Sequence, residues 1–259
     1  MDQLTRRRPR VSPEVRYVAA SERADFVAPR PLRNLSSPSS DQLACDAFYD
    51  ARGIRRSRFA KGRDIVIRGS RGDCVYFNRD GWLAQYKILH KGTRQIMDFI
   101  LPGQVFGLPA CVFQRAPYSV LTITEATVCA VPFGLVDTVF EQDPALAKAL
   151  FWSTIHDAAI LGEHLVDAGR RSAYERVSHL LLELFVRLNR GRPTGEMTFS
   201  LPLTQELIAD ALGLTAVHVN RMLRSLREDK LIEVDGRSVT IIAFEALSLL
   251  SDFERTYLG

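Results

Sequence analysis

Between residues 61 and 131 the chain is punctuated by short polar turns that carry glycine: Lys61-Gly62, Arg71-Gly72-Asp73, Asp80-Gly81, Lys91-Gly92 and Pro102-Gly103. Around them lie apolar-rich runs at 64–68 (DIVIR), 74–77 (CVYF), 82–88 (WLAQYKI), 95–100 (QIMDFI), 118–123 (YSVLTI) and 127–131 (TVCAV). Several of these alternate apolar and polar residues, the period of a half-buried strand. Strands about ten residues apart, separated by turn signals, predict a sandwich or barrel. A helix is expected ahead of them at 41–51, with Asp41 as its N-cap.

The period then changes. Asp143-Pro144 has the form of an N-cap followed by a first helical residue, and no proline follows until Pro193. Within 143–168, Trp152, Ile155, Ala159, Gly162 and Val166 fall on one heptad stripe, and Phe151, Thr154, Ala158, Leu161 and Leu165 on the adjacent one. One stripe can face the chain's own β domain and the other a second copy of the chain. The first is read as the dimer interface, where small residues allow close approach. A helix of about 25 residues is roughly twice the average length and suits a dimer spine. Gly169 is expected to end it. A second helix is expected at 171–188, where Val177, Leu180, Leu181, Leu184 and Leu188 keep a 3.6-residue period, and 191–195 (GRPTG) reads as a loop.

Residues 200–242 carry the most chemistry. An amphipathic helix at 204–212 is capped by Thr204, Gly213 makes a turn, and Thr215 can cap a second helix at 216–228. Leu207, Ile208, Ala211, Leu212, Leu214, Val219, Leu223 and Leu226 can form the inner surface. Helix, glycine turn and helix make a helix-turn-helix. The runs 231–234 (LIEV) and 239–242 (VTII), joined through Asp235-Gly236, make a β-hairpin wing. On the second helix Thr215, Ala216, His218, Asn220, Arg221 and Arg224 point away from the apolar face. Arg221 can donate bidentately to guanine or to phosphate, Asn220 can pair with adenine, and Thr215 and Ala216 can contact a thymine methyl. His218 can donate to a base or phosphate, and Arg237 and Ser238 on the wing can reach phosphate.

Composition bounds this picture. The 259 residues have 46% hydrophobic and 25% charged residues, ordinary globular usage. No apolar run approaches the roughly 18 residues of a membrane span, and no signal peptide is evident, so a cytoplasmic location without membrane attachment is expected. Residues 1–40 hold five of the twelve prolines and read as a poorly ordered extension. Net charge is +3 over 1–43, +4 over 44–142, −2 over 143–170 and −1 over 171–259. The last value hides a local excess of basic residues on 214–230. Cys45, Cys74, Cys111 and Cys129 are scattered, without metal-ligand spacing, and are expected to pack as small apolar residues. No nucleophile-elbow, phosphate-loop or zinc-protease motif is present, so no enzymatic activity, cofactor or metal is expected. The adjacent pairs His156–Asp157 and Glu163–His164 project about 100° apart on a helix and are read as solvated or dimer-interface positions.

The run LPLTQELIADALGLTAVHVNRMLRSLREDKLIEVDGRSVTI, with Gly62, Gly72, Gly81, Gly92 and Gly103, resembles the Crp/Fnr superfamily of transcription regulators. GRRSAYERVSHLLLEL and TAVHVNR are especially similar to its FixK-like branch. The resemblance covers about 41–255. It implies an α+β chain: a β-roll (a cyclic-nucleotide-binding-like jelly roll) at 41–142, a dimerisation helix at 143–170 and a winged helix-turn-helix at 171–259. It also implies a homodimer whose second helices enter successive major grooves of a palindromic site, with half-sites roughly 34 Å apart. Double-stranded DNA, a second copy and, for an activator, RNA polymerase are the implied partners.

Departures from the family shape the expectation further. Cyclic-nucleotide binders carry a Glu and an Arg phosphate clip. Here Leu108 takes the Glu position, and 116–119 has no Arg, with Arg115 out of register. A cyclic phosphate needs a fixed cation, so cyclic-nucleotide control is not expected. Gly103, Gly107, Leu108, Tyr118 and Ser119 remain the effector-pocket candidates. Iron–sulfur sensors cluster cysteines ahead of the roll, where only Cys45 lies. Haem sensors need axial ligands, for which His90, Cys74 and Cys111, besides Cys129, are the candidates near the strands, and a lone strand His is far more often ordinary structure. Where relatives carry a Glu in the reading helix, this chain has Val217, so its half-site should differ. The competing reading is a small-molecule-binding or interaction module whose helix-turn-helix serves assembly. It predicts no DNA footprint.

Overall fold

The computed structural model describes residues 54–142, 144–189 and 197–258. The extension at 1–40, the helix at 41–51 and the cap at Asp143 lie outside them. Two four-stranded antiparallel sheets form the first layer pair. One runs β1 (Arg55–Phe59), β8 (Ala126–Pro132), β3 (Cys74–Asp80), β6 (Val105–Phe106). The other runs β2 (Asp64–Val66), β7 (Ser119–Thr122), β4 (Leu83–Ile88), β5 (Arg94–Ile100). Val66, Leu83, Ile100, Phe106, Val120 and Val128 are buried together in one apolar cluster. The β3–β4 turn needs glycine: Gly81 has φ +87, and a Cβ there would meet the Glu125 carbonyl oxygen at 2.3 Å.

The six strand runs expected from the pattern are all present. β1 and β6 were not anticipated. β1 (RRSRF) has one apolar residue and pairs on one side only, with β8, so it carries no alternation to read. Two helices in this part of the chain were also missed, α1 (Leu108–Val112), which Gly107 begins, and α2 (Phe133–Gln142), as was a later one at Phe244–Ser251.

The long helix α3 (Pro144–Arg170) has 27 residues, about 40 Å at 1.5 Å per residue. It ends one residue past Gly169, at Arg170. The chain restarts at Ser172, whose hydroxyl accepts from the Glu175 N–H while Glu175 reaches back to the Ser172 N–H. That capping box starts α4 (Ala173–Leu188), two residues later than expected. The winged domain follows: β9 (Thr198–Ser200), α5 (Gln205–Leu212), α6 (Ala216–Glu228), β10 (Ile232–Asp235), β11 (Ser238–Ile241) and α7 (Phe244–Ser251), closed by a 3₁₀ turn at Arg255–Leu258. Its sheet runs β10-β11-β9, and β9 is a third strand that the hairpin reading lacked.

The two domains share a core. Tyr86, Ile96 and Phe99 of the roll lie in one buried cluster with Leu180, Leu184, Ile208 and Leu212 of the winged domain. Burial of side chains of this size contributes about 1.5–3 kcal/mol each, so the domains are joined by more than a linker. α3 is sorted differently from the two-stripe expectation. Ile160 and Asp167 are buried against the chain itself, and His164 bonds to β5 and α4. Glu163 and His164 are therefore half-buried rather than fully solvated. Each is paired within the chain, Glu163 with Arg171 and His164 with Glu183.

Candidate nucleic-acid interface

α5 and α6 are built by two local devices. The Thr204 hydroxyl accepts from the Leu207 N–H at 3.3 Å, and the Thr215 hydroxyl from the His218 N–H at 3.2 Å. Gly213 turns between them in the left-handed region, φ +66. Val219 and Leu226 are buried, while Leu223, Met222 and Leu214 pack against the same core. The opposite side of α6 is free. Thr215, His218, Asn220, Arg221 and Arg224 are exposed and Ala216 is half-buried. The structure thus brings the expected reading residues of α6 together along one exposed side, from its N-terminus, where backbone N–H groups and the helix dipole also favour an anion, to Arg224.

Three details refine the surface. Arg224 donates from Nε to Glu228 at 2.8 Å, which orients the side chain and leaves its terminal nitrogens outside that pair. Asp235 pairs with Ser238, so Gly236 and Arg237 are the two loop residues of the wing, one position later than expected. This leaves Arg237 exposed at the tip and Ser238 half-buried on the strand. Val217, 77% exposed in the first turn of α6, was not among the expected contacts. Its signal was its spacing: two residues before buried Val219, it lies on the opposite side of a 3.6-residue helix. The reading helix is held from behind by Tyr174 of α4, whose hydroxyl donates to Asp229 at 2.5 Å. Burial, then the Asp229 hydrogen bond and charge, push that phenol's pKa up.

The effector-pocket candidates are absorbed into the roll. Tyr118 is buried in the sheet core, and burial pushes its phenol up to about 12. The Ser119 hydroxyl accepts from the Arg68 N–H at 2.9 Å. Gly107 sits so close to Tyr76 that a Cβ would meet its ring at 2.9 Å. Leu108 packs against Val75, Cys111 and Val136. Gly103 lies in the β5–β6 turn, its N–H donating to the Asn78 carbonyl at 2.7 Å. Arg115 donates to the Gly69 carbonyl at 2.9 Å. Cys111 and Cys129 are buried and Cys74 half-buried, and burial pushes the Cys111 thiol up to about 11.

On α3, Ile155, Gly162 and Val166 of the expected interface are exposed, but Trp152 and Ala159 are half-buried. Phe151, Ala158, Leu161 and Leu165, assigned to the other stripe, are exposed with them. The uncovered apolar face therefore centres on 151, 155, 158, 162 and 165, itself an a/d seam.

A β-roll, a long helix with an uncovered apolar seam and a winged helix-turn-helix with a free basic face define a DNA-binding transcription regulator. Residues 56–143 match the cyclic nucleotide-binding domain, and 175–250 match the Crp-like helix-turn-helix domain. The nitrogen fixation regulation protein FixK of Rhizobium meliloti is 33% identical over 74% of this chain and 85% of its own. The FixK of Bradyrhizobium diazoefficiens is 30% identical over 73% and 78%. The solved structure of FixK2 from Bradyrhizobium japonicum superposes with a TM-score of 0.68 at 28% identity, covering 76% of this chain and 96% of that one. The chain belongs to the Crp/Fnr family of transcription regulators. Among the described residues no helix is long and apolar enough to cross a membrane.

Proposed function

We propose that this chain acts as a homodimer, paired along the uncovered seam of α3, that reads a palindromic operator through α6 without a cyclic nucleotide. The division of labour follows the expected boundaries: roll to 142, spine at 143–170, reader at 171–259. The observation that carries the reading is the split of α6, with Val219 and Leu226 in the core and Thr215, His218, Asn220 and Arg221 free on the other side. Phosphate contacts from Arg237 at the wing and from the α5 N-terminus at Thr204 supply affinity, which therefore falls steeply with salt. Base contacts from α6 supply specificity. The packing around Leu108 and Tyr118 supports a reader that needs no small molecule in the roll. Where the regulator activates, RNA polymerase is the further partner, and the working location is the cytoplasm.

Selection from a random DNA pool with purified, ligand-free protein tests this. Enrichment of a palindrome with half-sites about one helical turn apart is the expected result. A folded dimer that enriches no sequence would overturn the ligand-free reading.

A further inference from the structure

The junction between the domains holds a group of charges that DNA reading does not use. Arg187 of α4 donates from Nη1 to Asp98 Oδ1 of β5 at 2.8 Å and to Glu183 Oε1 at 2.8 Å. Its Nη2 donates to Asp98 Oδ2 at 3.2 Å, the Phe99 carbonyl at 2.7 Å and Gln104 at 2.9 Å. His164 of α3 completes the group. Its Nδ1 lies 3.0 Å from the Met97 carbonyl and its Nε2 3.1 Å from Glu183 Oε2. A carbonyl and a carboxylate only accept, so both ring nitrogens donate and the ring is an imidazolium. Two carboxylates, a guanidinium and an imidazolium then balance in charge, and Glu183 is fully buried among them. Its Oε2 also accepts from the Tyr257 hydroxyl. At the rim of the same junction Arg94 of β5 donates to Asp210 of α5 at 2.7 Å, and Gln95 to the Ala211 carbonyl at 2.9 Å.

Asp98, His164 and Glu183 have the spacing of a metal triad, their ligand atoms lying within 4.8 Å of one another. The Arg187 guanidinium already bridges both carboxylates, the place a cation would take. The group is therefore read as a self-neutralised joint. It ties β5 to α4 and, through the rim pair, to α5, the helix that carries α6. In that arrangement the reading face of α6 is uncovered.

We propose that Asp98, His164, Glu183 and Arg187 are positioning residues that clamp the winged domain on the β-roll in a reading-competent arrangement, which is why this chain needs no ligand to bind DNA. The proposal rests on the DNA-reading function proposed above. A free, ionised Asp98 or Glu183 without its cations would be costly inside this core, so loosening one partner should release the joint as a whole.

The test uses the full chain and the operator recovered by selection. Asp98→Asn and His164→Gln are compared with wild type for fold by circular dichroism, for dimerisation by sedimentation, for operator affinity at one salt concentration and for amide exchange. If only about a tenth of molecules keep the competent arrangement, apparent affinity falls about tenfold. Exchange should rise together in 94–100 and 205–212, while 219–226 inside α6 stays protected. Should these variants fail to fold, the rim pair decides, with Arg94→Ala combined with Asp210→Ala expected to show the same two signs. The groups around His164 are Asp98 from β5, Glu183 and Arg187 from α4, Tyr257 and the α4 His179 behind Glu183, and Asp167 on its own helix. Burial lowers the His164 pKa, but the charge and hydrogen bond of Glu183, then Asp98, reverse this and raise it to about 9. Operator affinity of the wild type should therefore drop above that pH more than that of His164→Gln. Folded variants that bind as tightly as wild type, or more tightly, would overturn the clamp. A rise in melting temperature on adding zinc to metal-free protein would also overturn it, since the metal must displace Arg187. Failure of the folded wild type to select any operator without ligand would overturn the ligand-free reading and, with it, the clamp's account of ligand independence.

Discussion

At the scale of single residues, the proposed specificity rests on a few exposed side chains of α6. Arg221 is exposed, opposite the buried Val219 and Leu226, and its fork geometry matches guanine. Arg221→Ala should cost about 1–3 kcal/mol on the selected operator and relax the preference at one base pair, read by competition binding on single-substitution operators. Val217 stands where relatives carry a Glu, and the apolar pattern assigned it no contact of its own. Its exposed isopropyl group can meet a thymine methyl but cannot accept from cytosine. Val217→Glu restores an acceptor and should move the selected half-site toward cytosine at one position. An unchanged consensus would remove Val217 from the reading surface. Thr204, Thr215, His218 and Asn220 were legible because caps and exposure follow from neighbours within one helical turn.

At the scale of elements, α3 and α4 show how one device can be misplaced and another concealed. Gly169 reads as the helix stop, and the helix runs only one residue past it, to Arg170. The true boundary is the Ser172–Glu175 capping box, with Arg171 held by Glu163 and Asp167 beside it. Ser172→Ala should lower stability by about 1 kcal/mol in urea unfolding, with operator specificity unchanged. The seam on α3 makes a separate prediction. Leu165 is 74% exposed. Leu165→Glu should shift sedimentation toward monomer at micromolar concentration while leaving the monomer folded, and should weaken operator binding because half-sites are then bound singly. A dimer that survives this change pairs elsewhere. The stripes themselves were legible, but not which of them faces outward, because two adjacent heptad stripes are equivalent until a neighbour covers one.

At the scale of the whole molecule, the β-roll and the winged domain share an apolar cluster and a buried set of charges. His164 carries the pH dependence. Its pKa is raised in the folded chain to about 9, so its contribution to stability is complete below the ordinary histidine pKa, about 6.5, and is lost as pH rises through about 9. Urea midpoints of wild type should fall between those values more than midpoints of His164→Gln, whose side chain stays neutral throughout. Glu183 acts in the opposite direction. Burial alone would raise its pKa, but His164, Arg187 and His179 lower it, so its contribution is lost only as pH falls below the usual carboxylate range.

The amino-acid order alone determined the reader. Two threonine caps, Gly213, the 3.6-residue apolar face and the hairpin are interactions among residues a few positions apart, and they needed no other part of the chain. It also determined most strands of the roll, where turn glycines and alternation are local. It did not determine β1, an edge strand with almost no apolar signal, or the fate of Glu163 and His164, which on the helix pattern read as surface. Those depended on the tertiary structure. Asp98 and Arg187 are separated by 89 positions, and only the folding of α4 against β5 removes them from water together. A charge's environment belongs to both segments that meet around it, so neither segment's sequence specifies it alone.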